Sequence, residues 1–144
     1  MKILIIVLSI FFVGCSSSCP VAPKGNVEFE NINLGVCLSS SLINQEYIIS
    51  NSVDYEKLKT TNNCTSNLPL IDFTKKILLG KFTSGQCEMT VVKSLISNEV
   101  NKTLTYHLTV CSKGLCKSKA VNMNWILVDK VNSGVNILFE IEQK

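Results

Sequence analysis

Apolar positions along the chain fall into two regimes. Residues 3–13 are apolar except for Ser9, with Lys2 ahead of them and Gly14-Cys15 behind. From residue 27 onward, short stretches of alternating apolar and polar residues are separated by Asn, Ser, Gly and Pro. A membrane-crossing helix needs about 20 apolar residues. The first run is shorter than that, and its cation, apolar middle and small exit residues have the three-part build of an export signal. Residues 1–14 are therefore expected to be a signal peptide that is cut away.

The second regime predicts mostly strands. Val27 and Phe29 share one parity, whereas Ile32, Leu34, Val36 and Leu38 share the other. A strand over 27–38 with one buried face then needs a bulge near Glu30 and Asn31. Tyr47, Ile48 and Ile49 read as a short strand. Asn51 and Ser52 suit an N-cap, and Val53, Tyr55 and Leu58, with Asp54 and Glu56 in the first turns, predict the mature domain's one helix over 52–60. A polar loop over 61–67 leads to Leu70-Ile71-Asp72-Phe73, and a strand over 77–82 ends at Ser84-Gly85.

Residues 87–96 and 103–112 read as a hairpin turning at 97–102. Pairing Met89 with Val110, Val91 with Leu108 and Leu95 with Leu104 gathers apolar side chains on one face, and a slip of one residue would scatter them. That register puts Cys87 on the apolar face and Cys111 on the other, so a bond between those two is disfavoured. A turn at Lys113-Gly114 leads to a strand over 116–121, and strands over 124–128 and 135–141 follow, split by Asn132-Ser133-Gly134. The expected class is α+β, a single domain with a mainly antiparallel sheet and one short helix.

Phe12-Val13-Gly14-Cys15 resembles the bacterial lipobox, in which a cysteine behind a small residue is acylated before the signal is cut. The resemblance implies a palmitate-type lipid anchor on Cys15, although Phe12 stands where leucine is usual. Ser16-Ser17-Ser18 and the two prolines that follow extend the pattern into a tether over 15–26, leaving 27–144 as the globular domain. Disorder is expected in that tether. The expected partner is thus a membrane, reached through lipid.

Seven cysteines in 144 residues fit an exported protein better than a reducing cytosol. With Cys15 acylated, Cys19, Cys37, Cys64, Cys87, Cys111 and Cys116 remain, and sequence leaves their pairing open. None of these six shows CxxC spacing with another and His107 is the only histidine, so disulfides are favoured over a zinc site. The net charge is only +3, and all fourteen basic residues are lysines. Without arginine the planar fork that clamps phosphates and reads guanine is missing, so no nucleic-acid partner is expected. Lys113, Lys117 and Lys119, the densest cluster, read as a solvated turn.

Leu70-Ile71-Asp72-Phe73-Thr74-Lys75-Lys76, then Leu78-Leu79-Gly80 and Thr83-Ser84-Gly85, resemble the C-terminal domain of PrcB-type protease-complex subunits and related small bacterial lipoproteins. Residues 48–58 and 124–128 fit the same pattern, whereas Gln86 and Cys87 depart from it. The resemblance implies an accessory role beside another envelope protein. It draws attention to Asp72 as a partner contact, beside the plainer role of a turn aspartate whose carboxylate accepts backbone N–H bonds.

Catalytic candidates are thin. His107 and Cys111 share a strand face but lie four residues apart, about 13 Å along an extended chain, beyond proton-transfer reach. His107 is expected to be solvated. Glu28 with Glu30, and Glu140 with Glu142, alternate with apolar residues as edge strands do. Trp125 is expected in the core, and no glycine-rich phosphate loop is present. Catalytic, metal and cofactor residues are therefore expected to be none. The expected function is a non-enzymatic, membrane-anchored interaction or accessory module of the cell envelope, with a small envelope enzyme as the alternative.

Overall fold

Strand length and burial on both faces dominate the architecture. The computed structural model describes residues 19, 23–34, 45–62, 64, 68–114 and 117–144. The elements run β1 (Glu30–Asn31), β2 (Glu46–Ile49), α1 (Ser52–Thr61), β3 (Lys76–Gln86), β4 (Glu88–Asn98), β5 (Thr103–Lys113), β6 (Lys119–Asp129) and β7 (Asn136–Gln143). Two sheets form, one ordered β1-β6-β3-β2 and the other β4-β5-β7.

The four-stranded sheet is apolar on both sides. Ile77 and Leu79 of β3, with Ile126 and Val128 of β6, share a core with Leu95 of β4 and Leu104, Tyr106 and Leu108 of β5. Leu78 and Phe82, with Met123, Trp125 and Leu127, share a second core with Tyr55 and Leu58 of α1. A strand covered on both faces reads as a continuous apolar run. That is why Ile77-Leu78-Leu79 shows no alternation.

The α+β expectation is corrected by this arrangement. Of the described residues 55% are strand and 9% helix, which makes the domain mainly β: two stacked sheets with one short helix on an outer face. The expected strands over 116–121 and 124–128 are one strand, β6, which pairs with β3 over all eleven of its residues. Likewise β3 continues through Ser84-Gly85 to Gln86. The sheets are not wholly antiparallel either, since β5 and β7 run parallel.

The parity change near residue 30 has a different cause from the expected bulge. Val27 and Phe29 pack on the core between the sheets, whereas Ile32 and Leu34 pack on the helix-side core. Both faces of that segment are used, so no extra residue is needed. The strand itself is only Glu30–Asn31, and 35–38 lie outside the described residues.

The hairpin β4–β5 keeps the expected faces but slips by two residues. Met89 faces Ser112, Val91 faces Val110, Leu95 faces Tyr106 and Ser97 faces Leu104. Its tip is set locally. Asn98 Oδ1 accepts the Asn101 N–H at 3.1 Å, Glu99 O accepts the Lys102 N–H at 3.4 Å, and Lys102 takes a left-handed φ of 50°. Helix α1 is capped as its sequence requires, Asn51 Oδ1 accepting from the Asp54 N–H at 2.9 Å.

Candidate functional site

Strand direction gives the domain two distinct ends. At one lie the tip of the β4–β5 hairpin, the start of β3 and the connection from β6 to β7. At the other lie the end of β5, the start of β6 and the end of β7. The candidate residues divide between these ends.

Asp72 belongs to the first. It precedes β3 in a turn, its Oδ1 accepting from the Thr74 hydroxyl and from the Thr74 N–H at 3.0 Å. Its carbonyl accepts the N–H groups of Lys75 and Lys76 at 3.1 and 3.0 Å. The Thr74 hydroxyl, then the Thr74 N–H and the nearby Lys75, hold the carboxyl below the usual aspartate range. Asp72 therefore organises the entry to β3, and its outer oxygen remains on the surface. Close by, a hollow of about 570 Å³ is floored by Val27, Leu104, Val128 and Val135 and rimmed by Glu99 and Lys130.

The other end is tied by a disulfide. Cys19 is bonded to Cys111, with Cα atoms 5.7 Å apart and a sequence separation of 92. Cys64 and Cys87 are also disulfide-bonded, while Cys37 and Cys116 lie outside the described residues. The expectation of disulfides is thus met at Cys19, Cys64, Cys87 and Cys111, and Cys87 and Cys111 are indeed not partners. Cys19 is held to β5 by its bond to Cys111 and falls within the span expected as a tether, 15–26. Further along it, Asn26 N–H and Val27 N–H donate to Leu95 O at 3.1 and 3.3 Å, and Asn26 exchanges two side-chain bonds with Ser97. Cys15 and the expected signal peptide lie outside the described residues.

Lys113, Lys117 and Lys119 are exposed at the disulfide end, and among the described residues none of the three is in an ion pair. Beside them, Lys119 and Lys144 line a polar hollow of about 370 Å³ with Ser84, Ser112, Gln86 and Gln143. Glu88 stands opposite Lys113, and Glu142 pairs with Lys144 at 2.9 Å.

His107 corrects the expectation of a solvated histidine. It is only 8% exposed, and its Nδ1 is buried without a hydrogen bond. Ser94, directly opposite on β4, and Thr109 are buried in the same way, with Oγ and Oγ1 unpartnered. Glu140 completes a row by standing opposite His107 on β7. Serine, histidine and carboxylate are the types that build a proton relay, but a relay needs hydrogen-bond reach between nucleophile and base. Ser94 Oγ and His107 Nδ1 make none. Among the described residues, no group of three or more His, Cys, Asp or Glu side chains is placed to hold a metal ion.

Two polar groups, Lys93 half-buried and Asn124 buried, work as fasteners instead. Lys93 points toward the space between the sheets, its Nζ donating to Asn31 Oδ1 at 2.8 Å and to Trp125 O at 3.4 Å. Burial lowers its pKa from the ordinary lysine value. Asn124, 1% exposed, donates to Thr83 Oγ1 at 2.8 Å and to Lys81 O at 3.1 Å. Tyr106 donates to Asn124 O at 3.5 Å, and burial pushes its phenol far above the ordinary range. Trp125 lies in the helix-side core, as expected.

Comparison with protein-family models, with curated proteins and with solved structures returns no match. The reading of this chain therefore stands on its own residues.

Proposed function

We propose that the protein is a non-enzymatic interaction or accessory module of a bacterial cell envelope, held on a membrane by lipid on Cys15. The observation that carries the reading is the bond from Cys19 to Cys111, four residues behind the candidate lipidation site. Disulfides persist in oxidising compartments. A short apolar signal, a cysteine behind a glycine and a nearby disulfide fit one account, export followed by anchoring.

The interaction half of the proposal rests on surfaces. Among the described residues β7 is a sheet edge, with Leu138 and Ile141 each more than a third exposed. An edge of that kind accepts a strand from another protein through main-chain hydrogen bonds. Asp72 offers a charged contact on the end away from the tether. Its setting resembles PrcB-type subunits in sequence, which makes an envelope protease complex the partner to test first.

The experiment is crosslinking in intact bacterial envelopes with the acylated protein. It is expected to recover one recurrent protein partner, and Leu138→Lys or Asp72→Lys is expected to reduce that recovery. Recovery of no partner, together with a turnover that disappears in His107→Ala, would favour a small envelope enzyme instead.

A further inference from the structure

The Cys19–Cys111 bond has a consequence for how the domain stands on a bilayer. If Cys19 were free, the first points at which the chain is held, among the described residues, would be Gly25 and Asn26. Asn26 is bonded to Leu95 and Ser97 of β4, toward the hairpin-tip end. A Cβ on Gly25 would lie 2.7 Å from Leu95 O, so this approach is close as well. Eleven residue steps from Cys15 to Asn26 could then span about 38 Å, and the hairpin tip would lie nearest the attachment.

The disulfide reverses that arrangement. From Cys15 to Cys19 the chain spans at most about 14 Å, and Cys111 lies two residues from the end of β5. The opposite end of β5, at Thr103, lies about 26 Å away along the strand. The end presented to the membrane also has complementary chemistry: Lys113, Lys117 and Lys119 are exposed and outside any ion pair among the described residues, and Lys119 lines a mainly polar hollow. Glu88 and Glu142 are the acidic side chains there, and Glu142 is engaged with Lys144.

We infer that the Cys19–Cys111 disulfide sets the orientation of the domain, pressing the end bearing Lys113, Lys117 and Lys119 onto anionic lipid headgroups. The hairpin tip and the Asp72 turn are thereby carried away from the surface. This inference rests on the reading of Cys15 as the lipid anchor. The lysines act as point charges on headgroup phosphates, and each contributes about fivefold to partition onto an anionic surface. The occupant is the bilayer that holds the anchor. A free phosphate or a soluble anion has no tether to bring it there.

The test uses the full acylated protein in nanodiscs of equal parts phosphatidylcholine and phosphatidylglycerol, doped with a headgroup-attached nitroxide. The readout is attenuation of amide signals, preceded by an intact mass of the same sample. Strong attenuation is expected at Gly114, Lys117 and Lys119 and weak attenuation at Val100 and Asn101. The Cys19→Ser/Cys111→Ser variant is expected to lose the contrast. Lys113→Gln/Lys117→Gln/Lys119→Gln, and discs of phosphatidylcholine alone, are expected to reduce it. An acylated protein attenuated equally at both ends, or more at Val100, would overturn the orientation and leave the anchor standing. A mass showing unmodified Cys15 would overturn the anchor and the orientation together.

Discussion

The indole of Trp125 lies directly over Gly80, its cross-strand neighbour. A Cβ built on Gly80 would sit 2.1 Å from the Trp125 ring, and the ring of Tyr47, the other neighbour of Gly80, lies 5.3 Å from the same indole at a tilt of 42°. Glycine is required here by space. Gly80→Val should therefore destabilise the domain by about 3 kcal/mol through overpacking. Denaturant melts followed by the fluorescence of Trp125, the sole tryptophan, will show a lower midpoint and an altered native spectrum. An unchanged midpoint would mean that the indole does not lie there.

Asn124 and Thr83, both buried, are joined through their side chains, Nδ2 donating to Oγ1 at 2.8 Å. Asn124→Leu removes donors from Thr83 and Lys81 and should cost about 1–3 kcal/mol. Adding Thr83→Val should cost less than the sum of the two single changes, because the two groups share one bond. A double-mutant cycle checks the sign of that coupling.

Loss of the Cys19–Cys111 bond should also be measurable without any membrane. Its loop of 92 residues puts the expected loss at about 2–5 kcal/mol. Cys19→Ala/Cys111→Ala removes this bond alone and should lower the denaturation midpoint accordingly. A variant as stable as the parent would contradict the pairing.

Asp72 predicts an acid-side effect. Its carboxyl titrates below the ordinary range because Thr74 and Lys75 favour the charged form. The folded pKa is lower than the unfolded one, so this contribution is complete above the ordinary aspartate range and is lost as pH falls through the lowered value. Asp72→Asn should flatten the stability profile in that acid window and leave its neutral arm parallel to the parent's. A carboxyl resonance of Asp72 titrating at or above the ordinary value would contradict the turn geometry.

The legible parts of the fold were the locally determined ones. Helix α1 starts where Asn51 and Asp54 say it should, and the cap rests on the Asn51 side chain, which accepts the Asp54 N–H and donates to the Asp54 carboxylate. Asn51→Ala should cost about 1 kcal/mol, visible as a lower midpoint. The hairpin register was half legible. A two-residue slip leaves every side chain on its face, so alternation cannot choose between the expected pairing and the one observed. The tip chooses, through Asn98, Glu99 and the left-handed Lys102.

Burial on both faces was what alternation concealed. The change of parity between Phe29 and Ile32 looked like a bulge because one buried face was assumed, whereas the four-stranded sheet has two. Three stacked layers arise from long-range pairing of β3 with β6, which no local pattern encodes. His107 was placed on the correct face, away from the core between the sheets. Its burial there depends on coverage that strand parity does not report. Asp72 was legible as a turn aspartate, a role now visible in the bonds from Thr74, Lys75 and Lys76.

The central claim is that acyl chains on one sulfur hold this domain at a bilayer. Intact-mass and peptide analysis of the protein purified from bacterial membranes tests it most directly. The account predicts a chain beginning at residue 15 with Cys15 carrying the mass of its acyl groups. A chain retaining Met1, or one whose Cys15 is unmodified, would contradict it.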